Sequence, residues 1–262
     1  MNIELIEKND KENKLSFILK DSTPAFANTL RRMVQEEVPT MAIEEIELRK
    51  NSSLLYDSII AHRLGLLPLT TDLKSYTLPE KCKCEGKGCA RCQVKMTLSA
   101  KGPTTVYASE IKSKDSAVKP VYPKTPIVIL IKGQFLELEA TAVLGKGKVH
   151  SKWCPGLVYY KQKPVIEISS SCDKSVAEVC PTKTLETKGD KVVVSKDRLL
   201  DCHLCNACVE ASNGAVKVEP TNDFIFYVES WGQLDCKNIF LEAAKSLNDI
   251  QEEFTEKVNA LK

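Results

Sequence analysis

The residues of this 262-residue chain best placed to do chemistry are its cysteines, eleven in number. Cys202-His-Leu-Cys205-Asn-Ala-Cys208 sets thiolates two residues apart on one tight loop, with Cys180-Pro181 upstream. In the iron–sulfur run C-x2-C-x2-C-x3-C-P, the fourth cysteine ligates a different cluster from the first three. That fourth position is Ser212 here, followed by Asn213. Counting back from Cys180-Pro181 by the same template finds Ser170, Asp173 and Val176 at the other three ligand positions. The downstream trio therefore has Cys180 to borrow, while the reciprocal cluster has lost its thiolates. The spacing predicts one [4Fe–4S] cluster on Cys180, Cys202, Cys205 and Cys208. Cys172 falls beside the nearest template position and is a less favoured ligand. Zinc on the same four sulfurs competes, since all-sulfur tetrahedral coordination suits either metal.

A second constellation, Cys82-Lys-Cys84-Glu-Gly-Lys-Gly-Cys89-Ala-Arg-Cys92, places its thiolates within one short loop, and its two glycines let the chain reverse. Closed four-cysteine coordination is what structural zinc prefers, and nothing nearby suggests an open catalytic position. Zinc contributes ~10–16 kcal/mol in small zinc peptides, ample to order a loop that lacks a core of its own. A reduced, metal-free knuckle is the plainer alternative.

Other signals point away from catalysis. Gly145-Lys-Gly147-Lys has neither the spacing nor the Ser/Thr of a phosphate-cradling loop and is expected to be a basic turn. His62, His150 and His203 are not spaced as a ligand set, and Glu44, Glu45 and Glu47 are expected on a solvated strand face. No nucleophile has an adjacent base, and no aspartate cluster suits paired catalytic metals. The 37 Lys and Arg are interleaved with 35 Asp and Glu for a net charge of +2, which disfavours nucleic-acid binding by the isolated chain. Hydrophobic residues at 43% and charged residues at 27% describe an ordinary globular protein of more than one compact unit. No apolar run reaches the ~20 residues of a membrane span, and an odd cysteine count with short separations suits reduced, metal-binding thiols. A cytoplasmic location is expected.

The elements that must carry these sites read as α+β. Residues 2 to 20 suggest two short strands. Thr23 caps a helix with Pro24 in its first turn and Phe26, Leu30, Met33, Val34 and Val38 at helical spacing, ended by Pro39. A strand at about 43 to 49 and a helix from Tyr56 to Leu64 follow, then mainly strand from 94 to 143, loop around Lys146 to Trp153, and one more strand at Val165 to Ile168. After the cysteine region, Phe224 to Val228 is β-rich. From about Lys237, Phe240, Ala243, Leu247, Ile250, Phe254, Val258 and Leu261 recur at i+3/i+4 steps along one long helix. That stripe needs a surface, either in its own core or on a partner.

Asn28-Thr-Leu-Arg-Arg-Met33, Val38-Pro-Thr-Met-Ala-Ile43-Glu and Asp57-Ser-Ile-Ile-Ala-His-Arg-Leu-Gly-Leu-Leu-Pro-Leu69 closely resemble the α-like subunits of multisubunit RNA polymerases, most of all the archaeal D-type family. His150-Ser-Lys-Trp-Cys-Pro155 and Phe224-Ile-Phe-Tyr-Val-Glu-Ser230 match further motifs of that family, in its order and over almost the whole chain. The resemblance implies a discontinuous dimerisation domain (1-40 and 224-262), an inserted β-rich domain (41-168) with a zinc loop at 82-92, and a ferredoxin-like domain (169-223). It implies a heterodimer with the small α-like L subunit through Phe26, Leu30, Arg31, Met33, Val34, Phe240, Leu247, Ile250, Phe254 and Val258. The small N and P subunits would join, and the large catalytic subunits would carry the nucleotidyl transfer. Members differ in cluster content, so a three-iron form stays open. Cys154, where the family often has serine, is expected to be a buried small residue. A ferredoxin-like electron carrier and a zinc-and-cluster nucleic-acid binder are the competing functions.

Overall fold

Alternation of apolar and polar side chains directs most of this chain into strands, and the runs with a three-to-four-residue repeat become its helices. The computed structural model describes residues 1–261. In chain order they form β1 (Asn2–Asn9), β2 (Lys14–Lys20), α1 (Pro24–Arg32), a π turn (Met33–Glu37), β3 (Pro39–Asn51), α2 (Asp57–Gly65), β4 (Gln93–Lys101), β5 (Thr104–Tyr107), β6 (Lys112–Ser113), β7 (Pro126–Leu130) and β8 (Phe135–Lys146). There follow β9 (Gly156–Ile168), α3 (Ser175–Val179), β10 (Leu185–Lys188), β11 (Lys191–Val194), α4 (Ala207–Ala211), β12 (Val216–Ser230) and α5 (Cys236–Asn259). They gather into two compact units. One comprises Met1–Lys8, Leu15–Thr29 and Tyr159–Tyr227; the other comprises Asn9–Lys14, Leu30–Val158 and the chain from Val228 on.

The first unit is built on a four-stranded sheet ordered β1-β2-β12-β9. Phe17, Ile18 and Leu19 of β2 and Phe224, Ile225 and Phe226 of β12 are buried along its two central strands. The Phe17 and Phe226 rings stack at 5.2 Å, and Tyr160 of β9 meets Phe224 edge-on at 5.7 Å. The cysteine-bearing segment adds α3, the antiparallel hairpin β10–β11 and α4. Gly189 at φ +60° supplies the left-handed residue that the two-residue hairpin turn needs. Val176, Leu185, Val192 and Val216 form a small core there with Cys208.

The second unit is organised by the antiparallel sheet β3-β8-β4-β6. Met41 and Ile43, Met96 and Leu98, and Leu136, Leu138, Ala140 and Ala142 share one core, which Ile60 and Leu64 of α2 complete. Register shifts at Ile43/Glu45 and Leu48/Lys50 break the β3–β8 ladder, and the residues beyond the first shift, Glu45 and Glu47, are exposed. The pair β5–β7 packs into the same core through Val106, Ile127 and Leu130. α5 lies against the π turn.

Four stretches differ from expectation. The helix after Thr23 keeps α geometry only to Arg32 and then widens into the π turn. The apolar spacing of Met33, Val34 and Val38 continues through both geometries, so spacing alone does not reveal the change. β9 and β12 run 13 and 15 residues, well beyond the segments 165–168 and 224–228. Lys161-Gln-Lys163-Pro164 and Glu219-Pro220 interrupt their apolar pattern and conceal their length. The 145–148 basic turn proves to be a clamp: Lys146 and Lys148 each donate to the buried Glu37 carboxylate at 2.7 Å. Cys154 is half-buried, its thiol donating to the Gly156 carbonyl at 3.2 Å.

Candidate metal centres

The knuckle at 82–92 is shaped by backbone before sulfur. A single 3-10 turn, Pro79–Lys81, delivers the chain to Cys82. Glu85, Gly86 and Gly88 adopt positive φ, which brings the second pair of cysteines back over the first. The Cys82 carbonyl accepts from Glu85 N–H and the Cys84 carbonyl from Lys87 N–H, both at 3.0 Å. The Cys89 carbonyl accepts from Cys92 and Gln93 N–H, and β4 begins at Gln93.

The sulfurs converge as this backbone directs. Sγ separations are 3.4 Å (Cys82 to Cys84), 3.5 Å (Cys82 to Cys89), 3.5 Å (Cys84 to Cys92) and 3.8 Å (Cys89 to Cys92). Thiolates at the ~2.3 Å zinc–sulfur distance stand about 3.8 Å apart on a tetrahedron, so the donor set fits a single ion. Its ionisation is uneven without a cation. The hydrogen bond with Cys82 pulls the Cys84 thiol down to about 7, while burial pushes Cys92 up to about 12. The group can hold one metal ion.

The second set is arranged differently. Cys180 follows the end of α3, Cys202 follows a 3-10 turn at Leu199–Asp201, and Cys208 sits in the first turn of α4. All three, with Cys205, line one cavity walled by Ile166, Pro181, Leu185 and Val218. Cys202 and Cys208 are buried, Cys180 is half-buried and Cys205 is exposed. Burial alone would raise the Cys180 thiol, but hydrogen bonds from the Leu185, Thr184 and Thr182 amides and the Thr182 hydroxyl hold it below its usual value. Burial raises Cys208, and the negative charge of Cys180 adds to that. Among the described residues, only the knuckle brings such donors all within 4.8 Å of one another, so the sulfurs around this cavity stand wider apart.

Cys172 is not among the cavity-lining residues; its sulfur lies 3.7 Å from the Asp173 carbonyl. The positions where the template would seat a reciprocal cluster serve other purposes. Val176 is wholly buried in the small core, and the Asp173 carboxylate accepts from Ser175 N–H at 2.8 Å. Ser212 Oγ donates to the Val209 carbonyl and accepts from Val216 N–H. His203 is exposed at the cavity rim. Glu44 is more than a solvated carboxylate, because it pairs with Lys152, whose ammonium also donates to the Ile43 carbonyl at 3.0 Å.

The terminal helices supply a third feature. Thr23 Oγ1 accepts from Phe26 N–H at 3.2 Å to cap α1, and Asp235 caps α5 by accepting from Asn238 N–H at 2.8 Å. Of the α1 and π-turn residues implied at a subunit interface, Phe26, Leu30, Arg31 and Met33 are half-buried, while Val34 is wholly buried inside its own chain. Along α5, Ile239 and Ala243 are buried and Phe240 and Leu247 half-buried. Beyond them Ile250, Phe254 and Val258 are exposed, Phe254 by 67%. An apolar row therefore leaves the core and continues into solvent.

Residues 41–154 match the family described as the RNA polymerase Rpb3/RpoA insert domain. The whole chain is similar to DNA-directed RNA polymerase subunit Rpo3 of Methanosarcina acetivorans, at 38% identity over 97% of this chain and 96% of the relative. It is 41% identical to subunit Rpo3 of Methanothermobacter thermautotrophicus over 97% of each chain, and 37% identical to that of Pyrococcus furiosus over 94% and 92%. The chain belongs to the Rpo3 family. Rpo3 and the archaeal D-type protein are the same, so the motifs read in the sequence pointed to the right family. Membership speaks against a free-standing electron carrier. The insert-domain match spans β3 to β8 together with the knuckle and Trp153, all within the second unit. No helix among the described residues is long and apolar enough to cross a membrane.

Sequence reasoning missed Glu37 and its two lysines, and the amide donors around Cys180. A glutamate inside an apolar helical run was the available signal for the first. The second had none, because backbone donors leave no mark on residue type.

Proposed function

We propose that this chain is a non-catalytic assembly subunit of DNA-directed RNA polymerase, pairing with the small α-like L subunit and recruiting the N and P subunits. On that platform the large catalytic subunits assemble and carry out nucleotidyl transfer in the cytoplasm. Full-length likeness to curated Rpo3 subunits carries the reading. The exposed apolar row Ile250, Phe254 and Val258 on α5 supports the pairing, because such a row needs a partner to cover it. Segments 1-40 and 224-262 would serve pairing, 41-168 the inserted domain and 169-223 the cluster domain.

The knuckle of Cys82, Cys84, Cys89 and Cys92 would hold structural zinc, consistent with its closed sulfur set. Cys180, Cys202, Cys205 and Cys208 would hold one [4Fe–4S] cluster. Wider sulfur spacing around a shared cavity and amide donors to Cys180 favour a multi-iron group over a single ion there. When bound, such a group supplies a one-electron couple and ties α3, the 199–205 loop and α4 together.

The test is anaerobic co-expression with an L-type chain. A 1:1 heterodimer that is lost in an Ile250→Asp/Phe254→Asp variant, itself still folded as a monomer, supports the reading. A wild-type chain that stays monomeric beside its partner refutes it.

A further inference from the structure

The turn that joins α4 to β12 carries a reactive dipeptide, Asn213-Gly214, and of the eleven asparagines in the chain only Asn213 precedes a glycine. Both residues are exposed and left-handed, at φ 49° and 89°. Asparagine enters that region more readily than most residues with a Cβ, and glycine enters it freely, so the backbone of the turn selects this pair. Among the described residues, neither the Asn213 carboxamide nor the Gly214 N–H has a hydrogen-bond partner. A Cβ built on Gly214 would meet nothing within 4 Å, so the space beside it is open. The flanking residues, by contrast, are stitched in. Ala215 N–H donates to the Ser212 carbonyl at 3.1 Å, and Ser169 N–H donates to the Ala215 carbonyl at 2.8 Å. Ser212 Oγ accepts from Val216 N–H at 2.9 Å, and Val216 is wholly buried.

We propose that Asn213 is a modification site, closing onto Gly214 and reopening as isoaspartate in the folded chain. The Gly214 nitrogen attacks the Asn213 side-chain carbonyl carbon, which glycine permits because no Cβ shields its nitrogen. A carbon–nitrogen bond forms, and the side-chain nitrogen leaves as ammonia with the proton that Gly214 gives up. Water then opens the five-membered imide at either carbonyl. One opening returns aspartate; the other reroutes the main chain through Cβ as isoaspartate. Each adds one negative charge, and the second also inserts one atom into the backbone. The hydrogen bond from Ala215 to Ser212 spans that inserted atom, so the turn no longer closes as built and α4 loosens from β12. The reaction class that consumes this product is carboxyl methyl transfer from S-adenosylmethionine, which reactivates isoaspartate for return to the imide.

The experiment holds the full chain, purified anaerobically, in mildly alkaline buffer for days beside the same chain unfolded in urea. Peptide mapping reads the one-dalton gain at each asparagine, and enzymatic carboxyl methylation separates isoaspartate from aspartate. The expected result is isoaspartate at Asn213 ahead of every other asparagine, at comparable rates in the folded and unfolded chains, and none at this position in Asn213→Gly. Aged wild type is then expected to be cut between 209 and 216 about tenfold faster by a broad-specificity protease, a local loss of about 1.4 kcal/mol. Asn213→Gly, aged alike, keeps its resistance. An Asn213 that stays intact in the folded wild type overturns the proposal, whether or not the unfolded chain reacts. Conversion with unchanged cleavage overturns the loosening of the turn.

Discussion

Replacing Glu37 with glutamine tests how the π turn is held. Glu37 is 6% exposed, and its oxygens accept from Lys146 and Lys148 at 2.7 Å. Burial raises its carboxyl, but the hydrogen bonds and charges of the two lysines more than reverse this, so its folded pKa lies below the ordinary glutamate value. Removing one partner of a fully buried pair costs ~3–5 kcal/mol, whereas exposed pairs contribute under ~1 kcal/mol. Lys146 is 19% exposed and Lys148 53%, which places Glu37→Gln between these limits. The expected loss is about 2 kcal/mol, or about 5 °C in unfolding midpoint for a unit of this size.

Both tryptophans, Trp153 and Trp231, lie in the unit containing Glu37, so tryptophan fluorescence reports on that unit. A group with a depressed folded pKa stabilises fully above its unfolded value, about 4.3 for glutamate. That contribution disappears as pH falls through the folded pKa. The wild-type advantage over Glu37→Gln is therefore present at neutral pH and vanishes in acid. An unchanged midpoint at neutral pH, or a difference that persists undiminished into strong acid, would refute the clamp.

Gly147→Ala, just after β8, drives a Cβ into the Gln35 carbonyl of the π turn and is expected to destabilise by at least ~2 kcal/mol, read by the same fluorescence midpoint. Cys92→Ser, at the most buried knuckle sulfur, should lower bound zinc from one ion per chain to none by elemental analysis, and limited proteolysis should then cut within 83–91. Cys180→Ser should lose iron and sulfide, whereas Cys172→Ser should keep both. The reverse pattern would move the fourth ligand to Cys172.

Particular residues explain what the sequence disclosed and what it hid. The knuckle was legible because four sulfurs at short spacing have few other uses, and the two-glycine reversal between them is local. The helix cap at Thr23 and the apolar alternation of β8 are local as well, and both appear where the pattern placed them. Glu37 was hidden because its partners lie more than a hundred residues away, on a stretch whose residues read only as a basic turn. The π turn was hidden because one extra residue per turn barely disturbs the apolar spacing. Val34 and Ile250 looked alike on helical wheels. Only packing shows that the first is enclosed and the second reaches solvent.

Whether this chain is the piece on which a polymerase is assembled is decided by reconstitution from separately purified subunits. With this chain present, the L-type subunit and the large catalytic subunits are expected to enter one particle, and template-dependent RNA synthesis to appear. Omitting it should leave the large subunits unassembled and inactive. Equal assembly and RNA synthesis with and without the chain would contradict the proposed role.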